Sequence, residues 1–135
     1  MVDAERLARL LRRVTDDLER LRRHADAPDA VLADEILLDR VKYRFVTAIE
    51  ACIDAAQHVC AAEGLRTPDT NADAMRELAR HGLLEPELAE DLARAVGFRN
   101  VLVHRYVEVD DRVVIDHLLR LDRLDGFVSA LHDLL

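Results

Sequence analysis

The chain has 135 residues, 50% of them apolar and 34% charged, the proportions of a globular protein large enough to bury a core. Its formal net charge of −8 excludes a broad, sequence-blind nucleic-acid binder, whose affinity comes from neutralising phosphates, but still permits a small site lined by a few arginines. Four glycines, three prolines and no tryptophan, against many Leu, Ala, Arg and Glu residues, disfavour strand-and-turn architecture and favour helices.

The first helix is expected over residues 3–25, where Leu7, Leu10, Leu11, Val14, Leu18 and Leu21 recur at helical spacing. Its opposite face carries Arg6, Arg9, Arg13 and Arg20 among acidic residues, which reads as a solvated surface laced with i,i+4 ion pairs. Asp26-Ala27-Pro28-Asp29 ends this helix. A long helix should follow from about Ala33 to Glu63, with a kink near Leu38-Asp39. Its apolar face runs through Val41, Phe45, Ile49, Cys52, Ala56 and Val59. Beside that face Tyr43, Thr47, Glu50, Asp54 and His58 follow at steps of four, three, four and four, one polar stripe bordered by small Ala51, Ala55 and Ala61. A solvated face usually carries longer side chains, so Glu50 and Asp54 are expected to face an internal or interfacial polar site.

Gly64 closes the long helix, and Thr67-Pro68-Asp69-Thr70-Asn71 forms a loop. Thr70 or Asn71 should cap a short helix over 72–81. Pro86 suits the first turn of the next helix, which runs to about Arg105. After the connector 107–111, Asp110 or Asp111 should cap a final helix through Leu134. The expected architecture is one all-α domain spanning 1–135: an up-and-down bundle of four main helices plus a short one.

Cys52 and Cys60 lie eight residues apart in one helix, too far for a mutual disulfide, and read as small buried apolar residues. Free thiols and no signal-peptide pattern predict the cytoplasm. No apolar run approaches the roughly 20 residues that span a membrane. His58 and Cys60 are metal-ligand types, but no second pair has zinc spacing, so no metal is expected. Lys42 is the only lysine, an arginine bias that a GC-rich genome explains as readily as phosphate recognition.

The chemistry concentrates in Arg99-Asn100-Val101-Leu102-Val103-His104-Arg105-Tyr106. Arg is a permanent, fork-shaped phosphate binder, and His exchanges protons near neutrality. On an ideal helix Arg99 interrupts the apolar row of Leu92, Val96 and Val103. Ala89, Ala93 and Gly97 lead instead to Asn100 and His104, a stripe that permits close approach of another helix. Arg99 and His104 stand about 140° apart around the helix. Three arrangements join them: a distorted helix end, an arginine that reaches around, or a second chain in a two-fold dimer. The bland alternative makes Arg99 a buried partner of Glu50 or Asp54, His104 a core residue and Tyr106 a capping aromatic. His24, His81, His117 and His132 have no comparable context.

The octet resembles the R-x(4)-H signature of HEPN domains, and its extension to His104-Arg105-Tyr106 is similar to the HepT-like toxins of HEPN/MNT toxin–antitoxin modules. Residues 48–58 resemble that family's second helix, and the order of helices fits across nearly the whole chain. The resemblance implies a HEPN-like bundle and a homodimeric, metal-independent endoribonuclease with its site at the dimer interface. In that reading Arg99, His104 and Asn100 act on RNA, with Glu50 and Asp54 in support. Tyr106 is the residue a minimal nucleotidyltransferase (MNT) antitoxin would modify with AMP. The alternative is a non-catalytic HEPN subunit that binds a nucleotide or substrate and docks a nucleotidyltransferase.

Overall fold

The computed structural model describes residues 1–105 and 108–135. Among the described residues there are seven helices and no strand: α1 Ala4–Ala25, α2 Pro28–Ala33, α3 Glu35–Ala62, α4 Asn71–Arg80, α5 Pro86–His104, α6 Asp111–Leu118 and α7 Asp122–His132. The all-α class is as expected, with two additions. Pro28 does not merely stop the first helix. Its fixed φ starts the six-residue α2, which buries Val31 and ends where Asp34 takes over as the N-cap of α3. The Asp34 carboxylate accepts the N–H groups of Ile36 at 2.9 Å and Leu37 at 3.4 Å. From there α3 runs as one helix without a break at Leu38-Asp39.

The second addition corrects the final helix, which is divided at Leu119-Arg120-Leu121 into α6 and α7. Leu118, Leu121 and Leu124 are all buried, so the apolar face continues across the break. The break frees the Arg120 carbonyl, which accepts the Nε–H of Arg123 at 3.1 Å. Asp110 is the cap of α6, receiving the Arg112 N–H at 2.9 Å.

The central element is α3, packed along α1 on one side and against α4 and α5 on the other. By length and composition alone it passes as long and apolar enough to cross a membrane, with a window of mean hydropathy 1.2, a test that buried core helices also pass. Its Ala- and Cys-rich faces instead line the core, where Ala48, Ala55, Ala56 and Val59 are fully covered. Both cysteines are buried and free, and burial pushes their thiols up from the usual range. At its end Gly64 adopts φ 66°, and the Leu65 N–H reaches back to the Cys60 carbonyl at 2.9 Å. That left-handed cap stops the helix sharply.

The arginine face of α1 also departs from expectation. Among the described residues α1 makes no ion pair within itself. Its salt bridges go to other helices, Arg22 to Asp125 and Asp17 to Arg44.

Candidate functional site

The C-terminal half of α5 is fixed by an aromatic cluster. Phe98 meets the edge of Phe45 from α3, centroids 5.3 Å apart, and stacks on His117 from α6 at 3.8 Å. Arg99 follows directly and turns towards α3, where its Nη2 donates to Glu50 Oε1 at 2.9 Å. Its Nη1 donates to Asn100 Oδ1, also at 2.9 Å. The guanidinium is therefore held between Glu50 of α3 and the neighbouring Asn100. The Arg99 side chain is 19% exposed, enough for one edge to meet a ligand. Its buried Nε has no hydrogen-bond partner among the described residues.

His104 is the last residue of α5 and is exposed, so it is no core histidine. Arg105 caps the helix, its N–H bonded to the Val101 carbonyl at 2.8 Å. Tyr106, the expected modification site, lies outside the described residues, as does Val107. The small-residue stripe splits in two. Ala89 and Ala93 are buried within the chain itself, where α5 packs on α4. They are not available to a second copy. Gly97, Asn100, Val101 and His104 are exposed beyond them, and a Cβ added at Gly97 would meet nothing within 4 Å. The surface open to a partner is thus the last two turns of α5.

The polar stripe of α3 proves to be three separate arrangements. Thr47 donates to the buried carboxylate of Asp17 at 2.5 Å, and Arg44 pairs with that same carboxylate at 3.3 Å. Glu50 serves Arg99. His58 Nε2 accepts the N–H of Asp3, the N-cap of α1, at 3.0 Å, so it fastens a helix end and does not join Arg99. Asp54 is exposed and makes no salt bridge among the described residues. Glu50 alone of the two acids meets the arginine. Among the described residues no group of three or more His, Cys, Asp or Glu is placed to hold a metal ion.

Two ionic features had no signal in the sequence. Lys42 is buried and pairs with Asp111 at 3.4 Å, tying α3 to the start of α6. Arg123 is buried with no carboxylate at hydrogen-bond distance. It donates to the Arg120 carbonyl, to the Asp91 carbonyl at 3.5 Å and to His117 Nδ1 at 2.7 Å. Burial first, and then Arg123 and Arg120, push His117 down to about 4, so its ring is neutral at pH 7 and Nδ1 is free to accept.

Comparison with known proteins adds an independent line. A family model described as Ribonuclease HepT-like matches residues 11–131. The chain is 31% identical over 100 residues to the mRNA nuclease HepT of Shewanella oneidensis, spanning 73% of this chain and 74% of that protein. It superposes with a TM-score of 0.89 on a toxin–antitoxin structure with AMP-PNP, at 23% identity over 96% of this chain and 98% of that one. A TM-score of 0.87 relates it to the tri-AMPylated HEPN toxin of Shewanella oneidensis in complex with an MNT antitoxin, at 25% identity over 98% and 99% of the two chains.

Proposed function

The chain belongs to the HepT-like ribonuclease family, and on that premise we propose that it is the nuclease toxin of a toxin–antitoxin pair. It cleaves RNA without a metal, as a homodimer, and a minimal nucleotidyltransferase antitoxin neutralises it by attaching AMP to Tyr106. The observation that carries this reading is the guanidinium of Arg99. It is held by Glu50 and Asn100 and sits on the same helix end as the exposed His104.

The chemistry follows from these groups. A base removes the proton of a ribose 2′-OH, whose oxygen attacks the adjacent phosphorus. Negative charge grows on the non-bridging oxygens, where a fixed guanidinium lowers the barrier. The 5′-oxygen then leaves with a proton from an acid, and the products are a 2′,3′-cyclic phosphate and a 5′-hydroxyl. His104 is the proton carrier, and Asn100 orients the guanidinium towards it. One chain supplies one such histidine, whereas two chains meeting at Gly97 and Val101 bring two into one cleft, acid and base together.

The test uses purified wild type, Arg99→Ala and His104→Ala on a synthetic RNA. Wild type should cleave in the presence of EDTA and leave cyclic phosphate ends. Both variants should lose cleavage with their helical circular dichroism unchanged. Retained cleavage by His104→Ala would overturn the mechanism. For the antitoxin, Tyr106→Phe should gain no AMP mass in the presence of the nucleotidyltransferase and ATP, and should stay toxic.

A further inference from the structure

Between α1 and α3 lies an open groove of about 650 Å³ that continues into a second of about 440 Å³, the two sharing Arg20 and Arg44 as walls. From α1 the groove takes Arg9, Arg12, Arg13, Arg20 and Arg23. At 100° per residue these five fall within an arc of about 100°, a single face of the helix. From α3 come Arg40 and Arg44. Seven arginines thus face three carboxylates, Asp16, Asp17 and Asp39, on a chain whose net charge is −8. Asp17 is already committed to Arg44 and Thr47. Arg9, Arg12, Arg13, Arg23 and Arg40 make no salt bridge among the described residues. Self-repulsion of this kind is maintained at a cost in stability and is relieved by a polyanion.

Two further features select the polyanion. Tyr43 stands in the groove 59% exposed, with the Arg44 guanidinium 5.4 Å from its ring centroid, an arrangement on which an unpaired base can stack. The groove also leads to the catalytic residues. Ile36, Tyr43, Thr47 and Glu50 occupy one face of α3, and Glu50 holds Arg99. Seven residues of helix separate Tyr43 from Glu50, a rise of about 10 Å. That distance corresponds to a very short stretch of an extended strand.

We propose that the α1–α3 groove is a docking track for single-stranded RNA. Its arginines bind the phosphates of nucleotides flanking the scissile bond, and Tyr43 stacks on one of their bases. The proposal rests on the ribonuclease reading above and adds to it where the substrate lies. A second copy of the chain is a poorer occupant, because a two-fold axis through the groove would set arginine against arginine. The track also explains how an acidic protein holds RNA: seven of its 19 Lys and Arg residues line this one groove.

The test measures binding of a fluorescein-labelled 20-mer of polyuridylate to the His104→Ala protein, in which cleavage cannot interfere. In that background the triple variant Arg12→Ala, Arg23→Ala, Arg40→Ala should bind at least tenfold more weakly. The slope of log Kd against log salt should fall by about 2, since each single-strand phosphate contact contributes about 0.7. The same three positions changed to Lys should keep most of the affinity, and circular dichroism should match throughout. Tyr43→Ala should weaken binding about tenfold, with Tyr43→Phe near wild type. Equal affinity of the triple Ala variant and its parent, or no binding by the parent, would overturn the proposal. So would unchanged RNA affinity together with loss of binding to the antitoxin or of self-association, which would make the groove a protein interface. Failure of wild type to cleave RNA in the separate activity assay would instead strike the ribonuclease reading, whatever the 20-mer does.

Discussion

Arg99 and Arg123 are both arginines drawn out of solvent, and they are handled in opposite ways. Arg123 is 5% exposed, and every contact it makes is to an acceptor its own fold supplies: two carbonyls and a neutral histidine. It fastens α7 to α6 and α5. Arg99 is paired with a carboxylate, keeps a solvent edge, and its Nε has no partner among the described residues. The contrast separates an arginine tied into its own fold by three hydrogen bonds from one held by two contacts at a partly exposed edge.

The strongest way to break this comparison is to exchange the losses. Arg99→Ala should reduce RNA cleavage about 100- to 1,000-fold or more while shifting the thermal midpoint little. Arg123→Met should leave the activity per folded molecule intact but lower stability by about 2–3 kcal/mol, because three acceptors lose their donor. Paired activity and denaturation curves on the two variants check both. If Arg123→Met lost activity without losing stability, the division between the two arginines would be wrong.

A gentler change sharpens the Arg99 side. Glu50→Gln keeps the shape of the contact and removes its charge, so the guanidinium is less firmly aimed. Turnover should fall about tenfold, with a stability change below about 1 kcal/mol for a half-exposed pair. Steady-state rates with a defined RNA would report it.

The Arg123 side has a pH signature of its own. His117 is held down to about 4 in the folded protein, chiefly by burial and then by Arg123 and Arg120, against an ordinary value of 6.5. The unfolded chain therefore binds this proton more readily. The stabilisation is fully present above pH 6.5 and is lost as pH falls towards 4. Urea melts across that window should show the decline, and His117→Gln should flatten it. The smallest effect belongs to the surface beside Arg99. Gly97→Ala adds a methyl group that meets nothing within the chain and should gain up to about 1 kcal/mol of helix stability. In Gly97→Leu the same position should prevent two copies from meeting, which sedimentation would register as monomers.

Much of this was legible beforehand where one residue type has one local job. Thr70 and Asp110, each one of two expected candidates, cap helices because a short acceptor precedes an apolar periodic run, and Pro86 and Gly64 mark the boundaries expected of them. The candidate cluster was legible in part. Glu50 and Arg99 both stood out, but two acids one turn apart are equivalent by periodicity, and only packing selects Glu50 over Asp54. The division at Leu119–Leu121 was invisible because the buried Leu118, Leu121 and Leu124 keep helical spacing across it. The basic face of α1 was misread for a related reason. Acids at i,i+4 are counted along one helix, whereas Asp17 is taken by Arg44 of another.

The two cysteines carry a different consequence. Each thiol is buried in the middle of the bundle with its ionisation pushed up by burial, so an alkylating reagent can react only when α3 comes away from its neighbours. Iodoacetamide labelling followed by mass spectrometry would then act as a clock for that opening. Slow, simultaneous modification of Cys52 and Cys60 is expected if α3 opens as one cooperative unit. Faster labelling of Cys60, next to the helix end at Gly64, would reveal fraying that leaves the half of α3 bearing Glu50 in place.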